Sequence, residues 1–448
     1  MNDITMPECD HQPQPYSGPS REQVAATRLK YTNPAIFTFY NEPVMIVEGS
    51  MQYLFDEKGR RYLDLFAGIV TVSCGHCHPT VVAAINKQVE RLQHTTTIYL
   101  HPNFGAYAEA LANKLPEGLD SSYFVNSGSD ANDLAIQMAR LHTGNWDVIA
   151  VRNGYHGGSP QAQGLTSLHT WKYPLPSASG IHHVPCPDPY RSSFQGSPEE
   201  IAHRAAEEIR DLIRFSTSGK VAAFIAEPIQ GVGGATQGTK EFLQHAFDIV
   251  RSHGGICISD EVQTGFGRTG EHFWGFENSG VIPDMVTMAK GIGNGVPLGA
   301  LVTRQDIAET MKQRVHFNTY GGNPVCMAAG MAVLEVIEED GLQENSRVVG
   351  GHFKRGLEKL QEKHPLIGDV RGMGLMLGVE LVLDRSSKEP ATAQTALVLE
   401  KTREMGVLVG KGGLFGNVLR IKPPMCISKE DVDYALHVLD LALSAAGD

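Results

Sequence analysis

The sequence predicts an α/β protein built on a mostly parallel, doubly wound central sheet. Three observations carry that expectation. Residues 222–226, 256–259 and 285–288 are short apolar runs that read as buried strands. Segments with helical spacing lie among them: residues 240–253 put Phe242, Leu243, Ala246, Phe247 and Val250 on one face and stop at Gly254-Gly255. Strands alternating with helices require crossover connections, and these make neighbouring strands parallel.

The elements follow in chain order. Residues 1–30 are polar, carry Pro13, Pro15 and Pro19, and read as weakly ordered. Residues 45–65 alternate in polarity around a turn at Asp56-Glu57-Lys58-Gly59, which predicts a small β-meander. Residues 106–114 are helical. Tyr123-Phe124-Val125 is a short strand that passes at once into a helix over 130–142. Near 321–324 the character changes. A helix over 325–338 opens a C-terminal portion with strand-like stretches at 375–381 and 418–421. With 448 residues there is room for more than one domain. The expected division is an N-terminal segment, 1–72, packing with the small domain; a large cofactor-binding domain, 73–325; and a small α+β domain, 326–448.

Composition narrows the function classes. The formal net charge of −12 argues against a basic nucleic-acid footprint, although local backbone amides can still hold an anionic cofactor. No apolar run approaches the roughly 20 residues that span a bilayer. The start of the chain has neither a secretory apolar core nor an arginine-rich presequence pattern. Seven scattered cysteines, an odd number, suit a reducing compartment. A cytoplasmic chain is the expectation.

Two motifs point elsewhere and fail on context. Cys74-Gly75-His76-Cys77-His78 spells a haem-attachment pattern, but no export signal accompanies it, and a zinc site would want a second ligand pair. A loop at a domain junction is the plainer reading. Gly265-Phe266-Gly267-Arg268-Thr269-Gly270 matches a dinucleotide fingerprint, with Asp284 near the ribose-binding offset. That fingerprint must open a helix after a first strand. Here it lies late in the chain and runs into His272-Phe273-Trp274-Gly275, so a nicotinamide dehydrogenase is disfavoured.

Three predicted strands end in functional side chains: Glu227 before Pro228, Asp260 before Glu261, and Lys290 before Gly291. In a doubly wound sheet, ligands collect beyond the carboxyl ends of the strands. Pyridoxal 5'-phosphate needs four things there. An amine must condense with its aldehyde. A carboxylate must face its pyridine nitrogen. Its phosphate needs an anion cradle, and its ring needs flat apolar neighbours. Lys290, set among glycines, supplies the amine, and Asp260 the carboxylate. Ser127, Gly128 and Ser129 open a helix whose free amides suit phosphate. Tyr155 and Val262 suit the two ring faces.

Residues 256–270, ICISDEVQTGFGRTG, with 283–295, PDMVTMAKGIGNG, closely resemble the class III aminotransferases of pyridoxal-phosphate fold type I. FAGIVTVSCGHCHP, AEPIQGVGG, HFNTYGGNP and LRIKPPMCI extend the resemblance over roughly residues 30–440. The likeness is to the subgroup that includes alanine–glyoxylate and 3-aminoisobutyrate–pyruvate enzymes. It implies that Lys290 carries the cofactor and shuttles a proton, Asp260 pairs with the ring nitrogen, and Gln263 hydrogen-bonds the ring hydroxyl. Gly128 and Ser129 would hold the phosphate, Thr319 would reach the phosphate in a partner subunit of a homodimer with shared sites, and Arg420 would bind the substrate carboxylate. Glu227 reads equally as a supporting or a structural residue, and His156 as a site or a packing residue. Relatives that accept ornithine or 4-aminobutyrate mask the arginine with a glutamate just after the EPIQG run; here that position is Val232. Alanine or a short β-amino acid as donor, and glyoxylate or pyruvate as acceptor, are therefore expected. Within the class the alternatives are an ω-amine, taurine or 4-aminobutyrate aminotransferase, a decarboxylating relative or an aminomutase.

Overall fold

The computed structural model describes residues 5–447. The alternation over 45–65 folds as an antiparallel meander of β1 (Ile46–Ser50), β2 (Tyr53–Asp56) and β3 (Arg61–Asp64). Seven strands then form the central sheet: β4 (Ser121–Val125), β5 (Val148–Val151), β6 (Ile181–Val184), β7 (Ala223–Ala226), β8 (Ile256–Asp260), β9 (Met285–Met288) and β10 (Gly299–Thr303). Their order is β4-β10-β9-β8-β7-β5-β6. Strands β9, β8, β7, β5 and β6 are parallel, and β10 runs antiparallel to both β4 and β9. The sheet is thus mostly parallel, as in fold type I.

Both faces of this sheet are covered, which explains why its strands read as unbroken apolar runs. Ala223 and Ile225 of β7, and Ile256 and Ile258 of β8, join Ala131, Leu134, Ala135 and Met138 of the helix Gly128–Thr143 on one face. The intervening Phe224 and Cys257 point to the other face. There they meet Ala205 and Ile209 of Pro198–Ser216, and Phe242, Phe247 and Val250 of Lys240–Ser252.

The C-terminal part adds β11 (Ile367–Met373), β12 (Met376–Leu381), β13 (Val407–Leu408), β14 (Gly410–Gly412) and β15 (Val418–Ile421). A four-stranded sheet ordered β11-β12-β15-β14 packs against the helices Leu342–Lys363 and Thr392–Glu404, and Lys429–Gly447 lies against both helices. Strand β13 pairs in parallel with β3, Val407 opposite Leu63, so the N-terminal meander and the C-terminal part share one sheet. The helix Pro324–Glu339 lies against Pro79–Arg91 and Pro102–Ala112.

One local expectation is corrected. Part of the stretch expected to be weakly ordered is a helix, Arg21–Tyr31, closed by a capping box between Ser20 and Gln23. It buries none of its residues, so no apolar stripe marked it; the signal was the Ser-x-x-Gln spacing. Among the described residues, no helix is long and apolar enough to cross a membrane.

Candidate active site

Parallel strands bring the three acid- and lysine-bearing ends to one edge of the sheet. Register pairs Asp260 with Thr287, one residue before β9 ends. Glu227 follows β7 on the other side of β8. Strand β4 is parallel to β9, since β10 is antiparallel to each, so the helix that follows β4 begins at the same edge. A cavity of about 340 Å³ opens there. Ser127, Gly128, Ser129, Tyr155, His156, Glu227, Asp260, Val262, Gln263 and Lys290 all line it.

Ser127 caps the helix Gly128–Thr143, its hydroxyl accepting from the Asp130 amide at 3.2 Å. The amides of Gly128 and Ser129 have no intrahelical acceptor at these first positions and mark the positive end of the helix. A second chain segment crosses close by. The Ser129 hydroxyl accepts from the Gly158 amide at 3.0 Å, and a Cβ at Gly157 would strike Ser129. This is a cradle of amides and a hydroxyl, suited to a phosphate.

Asp260 is 2% exposed. Its Oδ2 accepts from Asn132 Nδ2 and His156 Nδ1, each at 2.8 Å, and its Oδ1 from the Val262 amide at 3.1 Å. Asn132 is held in turn by Thr287, whose hydroxyl donates to Asn132 Oδ1 at 2.7 Å. His156 is therefore tied to the carboxylate rather than merely packed. Burial works against its charged form, but the hydrogen bond and charge of Asp260 outweigh that and raise its pKa.

Lys290 follows β9 with a left-handed φ of 51°, a conformation that costs a non-glycine residue about 1 kcal/mol or more. Burial lowers its pKa to about 8, against the opposing charges of Asp260 and Glu227. The loop is pinned from below. Asn294 Oδ1 accepts from the Cys74 amide at 2.9 Å, Asn294 Nδ2 donates to the Gly75 carbonyl at 3.0 Å, and a Cβ at Gly291 would meet Ser73. The Cys-Gly-His-Cys-His run is thus the seat of the lysine loop.

Glu227 accepts from the amides of Tyr155 at 2.9 Å and Gly231 at 2.7 Å, and burial raises its pKa. Gln263 turns its Oε1 toward two donors, Arg420 Nη2 at 3.3 Å and Lys422 Nζ at 3.2 Å. Arg420, on β15, is 4% exposed and lines a second cavity of about 940 Å³ that shares Lys290 and Tyr155 with the first. Its guanidinium lies over Phe66, its Nε has no partner, and no ion pair reaches it among the described residues. Burial lowers its pKa to about 10, against the pull of Glu227, so it stays cationic near neutrality. Val232 lines the same cavity.

Thr319 stands apart. It is exposed and lines neither of these two cavities. Its loop is nevertheless fixed to the phosphate cradle, because Asn318 Oδ1 accepts from Asn126 Nδ2 and from the Gly321 amide, each at 2.9 Å. Two further residues were missed from the sequence. Asn132 is a polar residue on the apolar stripe of its helix, and that misfit was the available signal. Glu261 is buried and accepts from Ser259, Thr264, Gly275 and Phe276. It thereby shapes the Gly265–Gly270 run into a turn packed on Gln343 and Arg347 instead of a helix opening.

The residues present fit pyridoxal phosphate: an amide cradle, a carboxylate fixed by three donors, a lysine of depressed pKa, and a slot walled by Tyr155 and Val262.

A model of the family described as aminotransferase class-III matches residues 38–443. An Arabidopsis thaliana protein named alanine–glyoxylate aminotransferase 2 homolog 2, mitochondrial, is 51% identical over 439 residues, 98% of this chain and 91% of that protein. The Homo sapiens alanine–glyoxylate aminotransferase 2, mitochondrial, is 45% identical over 459 residues, 98% of this chain and 89% of the human protein. Among solved structures, an (S)-enantioselective omega-transaminase from Thermomicrobium roseum superposes with a TM-score of 0.90 at 32% identity, covering 96% of this chain and 100% of that one. A phospholyase from Arthrobacter, in complex with phosphoethanolamine, superposes with a TM-score of 0.88 at 34% identity, covering 94% and 99%.

Proposed function

The chain belongs to the class III aminotransferases, pyridoxal-phosphate enzymes, and from that premise we propose that it moves an amino group from alanine or a short β-amino acid to glyoxylate or pyruvate. The observation that carries the substrate choice is Arg420. It is a buried guanidinium on the cavity wall with no acid partner and with Val232 in place of a masking glutamate. A desolvated, unpaired cation of this kind is satisfied by a substrate carboxylate close to the reacting carbon. The alanine–glyoxylate names of the relatives agree with that reading.

Pyridoxal phosphate, when bound, supplies an aldehyde that condenses with amines and a ring that takes up the electrons left when a proton departs the substrate carbon. The chain's own residues take these roles. Lys290 holds the resting cofactor and then, as a free amine, carries the proton away from the substrate carbon. Asp260, aimed by Asn132 and His156, would pair with the ring nitrogen. Gly128 and Ser129 would hold the phosphate, with Ser127 ordering the cap. Tyr155 and Val262 would pack against the ring, Gln263 would donate to its hydroxyl, and Glu227 sets Tyr155 through the backbone.

A second reading, an ω-amine donor whose reacting end bears no carboxylate, is favoured by the aromatic wall of the larger cavity, where Phe37, Phe39, Phe66 and Trp171 line the same space as Arg420. One measurement separates the two. Specificity constants with glyoxylate are compared for alanine, 3-aminoisobutyrate, 4-aminobutyrate and ornithine, in wild type and Arg420→Ala. A donor that leaves Arg420 buried and unpaired forfeits about 2–5 kcal/mol, or roughly 30- to several-thousand-fold in kcat/KM. Alanine should lead, and Arg420→Ala should remove its advantage. If 4-aminobutyrate or ornithine leads in wild type, the open-arginine reading is wrong.

The assembly that fits Thr319 is a homodimer with shared sites. The exposed Thr319 is flanked by apolar side chains that one chain leaves uncovered, among them Val315, Phe317 and Tyr320, and a two-fold dimer is the commonest way to cover them. Mixing inactive Lys290→Ala chains with inactive Thr319→Ala chains should restore activity, because each resulting hybrid dimer carries one intact composite site. Hybrids without activity, while self-mixed controls exchange normally, would remove the sharing.

The division at residues 72 and 325 is supported by the shared β3–β13 sheet and by the separate sheet of β11, β12, β14 and β15. The cytoplasmic reading rests on seven free cysteines, which suit any reducing compartment. The relatives above carry mitochondrial names, so cell fractionation decides between the two.

A further inference from the structure

Among the described residues, Lys422 is the one buried lysine in contact with the site that the amino-transfer chemistry leaves without a task. It is wholly buried, and no carboxylate lies within ion-pair distance among the described residues. A lysine is almost never buried without a partner unless something requires it. Burial and the neighbouring Arg420 push its pKa well below the ordinary lysine value, and its amine makes two contacts: Nζ donates to the Gly231 carbonyl at 3.0 Å and to Gln263 Oε1 at 3.2 Å.

Resting on the assignment of Gln263 to the cofactor, we propose that Lys422 is a positioning residue that locks the carboxamide of Gln263 with its oxygen toward the protein and its NH2 group toward the cavity. The geometry gives the reason. Oε1 of Gln263 receives Lys422 Nζ and Arg420 Nη2 together, while Gln263 lines the cavity. Rotating the amide by half a turn would set its NH2 against two nitrogens that already donate here, the guanidinium of Arg420 and the Lys422 Nζ held by the Gly231 carbonyl, a buried mismatch. Arg420 alone would bias the amide through one contact at 3.3 Å; Lys422 adds the second. The slot is tight, since a Cβ at Gly231 would strike the Gln263 carboxamide. The same glycine donates its N–H to Glu227 while accepting from Lys422, so the lysine braces Gln263 and the Gly231 peptide at once. Selectivity follows: this wall offers a hydrogen-bond donor, fitted to an oxygen acceptor on the ring and mismatched to a donor.

Lys422→Met keeps the chain length and removes the head group. It should fold, because the backbone is held separately: the Lys422 amide donates to the Leu65 carbonyl at 2.7 Å, and Arg268 Nη1 to the Pro423 carbonyl at 2.7 Å. The test is a double-mutant cycle of Lys422→Met and Gln263→Ala, read as the dissociation constant of pyridoxal phosphate for the apoprotein and as the absorption maximum of the bound cofactor. Each single variant should weaken binding about 10-fold and shift the maximum in the same direction. In the Gln263→Ala background, Lys422→Met should add less than about 2-fold. An equal effect of Lys422→Met in both backgrounds would show that the lysine only packs. If Gln263→Ala changes neither readout, the Gln263 assignment falls and takes the lysine's role with it. Gln263→Glu gives an arm that leaves Lys422 intact. Its carboxylate still accepts from both nitrogens but cannot donate to the cavity. It should melt no lower than wild type and bind cofactor as weakly as Gln263→Ala; a lower Tm would mean that the oxygen does not face Arg420 and Lys422, and would overturn the proposal.

Discussion

Replacing Lys290 by alanine should leave the fold intact and lower turnover by about 10,000-fold or more. Two losses combine. On the roles proposed for Lys290, the variant lacks the amine that would hold the resting cofactor and the general base, a role worth roughly 100- to 10,000-fold by itself. The fold should tolerate the change. Alanine and lysine bear the same Cβ strain at the left-handed φ of 51°. Removing the lysine also relieves a cost, because burial lowers its pKa to about 8. A lysine with a depressed folded pKa binds protons more weakly in the folded than in the unfolded protein, so it destabilises the fold at pH 8 and below, and the cost fades as pH rises toward 10.5. The Lys290→Ala apoprotein should therefore melt no lower than wild-type apoprotein at pH 7. Borohydride reduction and digestion of wild-type holoprotein should leave pyridoxyl on Lys290; finding it on another lysine would move the site.

The central sheet was legible because its strands are buried on both faces. Apolar runs as short as Met285–Met288 stand out when no polar alternation interrupts them. The helix Gly128–Thr143 was legible over 130–142 from its apolar stripe; its end at Gly144, which takes the left-handed φ of 67° that favours glycine, was not singled out. The strand ends Glu227, Asp260 and Lys290 were legible because parallel topology forces carboxyl ends to one edge. What stayed hidden was contact between segments remote in sequence. Nothing near Asp260 announces that Asn132, 128 positions earlier, donates to it. Nothing near Gln263 announces Lys422, 159 positions later. The Cys74–His78 run could be dismissed as a metal site, yet its task beneath the Lys290 loop needed the Asn294 contacts to become visible. The helix Arg21–Tyr31 was missed for a different reason: a fully exposed helix has no apolar period to read.

Asp260→Asn is the second change with a large expected effect, and it separates charge from shape. The carboxylate accepts from Asn132 Nδ2, His156 Nδ1 and the Val262 amide. Asparagine can satisfy the first two with its oxygen, but its NH2 then faces the Val262 N–H, and no negative charge remains for a ring nitrogen. Two opposite charges about 4 Å apart, at an effective dielectric near 20, attract by roughly 4 kcal/mol, so the alanine half-reaction should slow by about 1,000-fold with the cofactor still bound in its cradle. Near-normal turnover would show that Asp260 does not face the ring. The same variant carries a pH signature in the apoprotein. Burial opposes charging of His156, but Asp260 more than compensates and raises its pKa above 6.5. A histidine with a raised folded pKa contributes stability that is fully present below the unfolded pKa of about 6.5 and is lost as pH climbs through the folded value. Removing Asp260 removes that contribution. The difference in Tm between wild-type and Asp260→Asn apoproteins should be widest below pH 6.5 and should narrow at higher pH. A gap that widens with pH would mean that the His156–Asp260 pair does not stabilise this site.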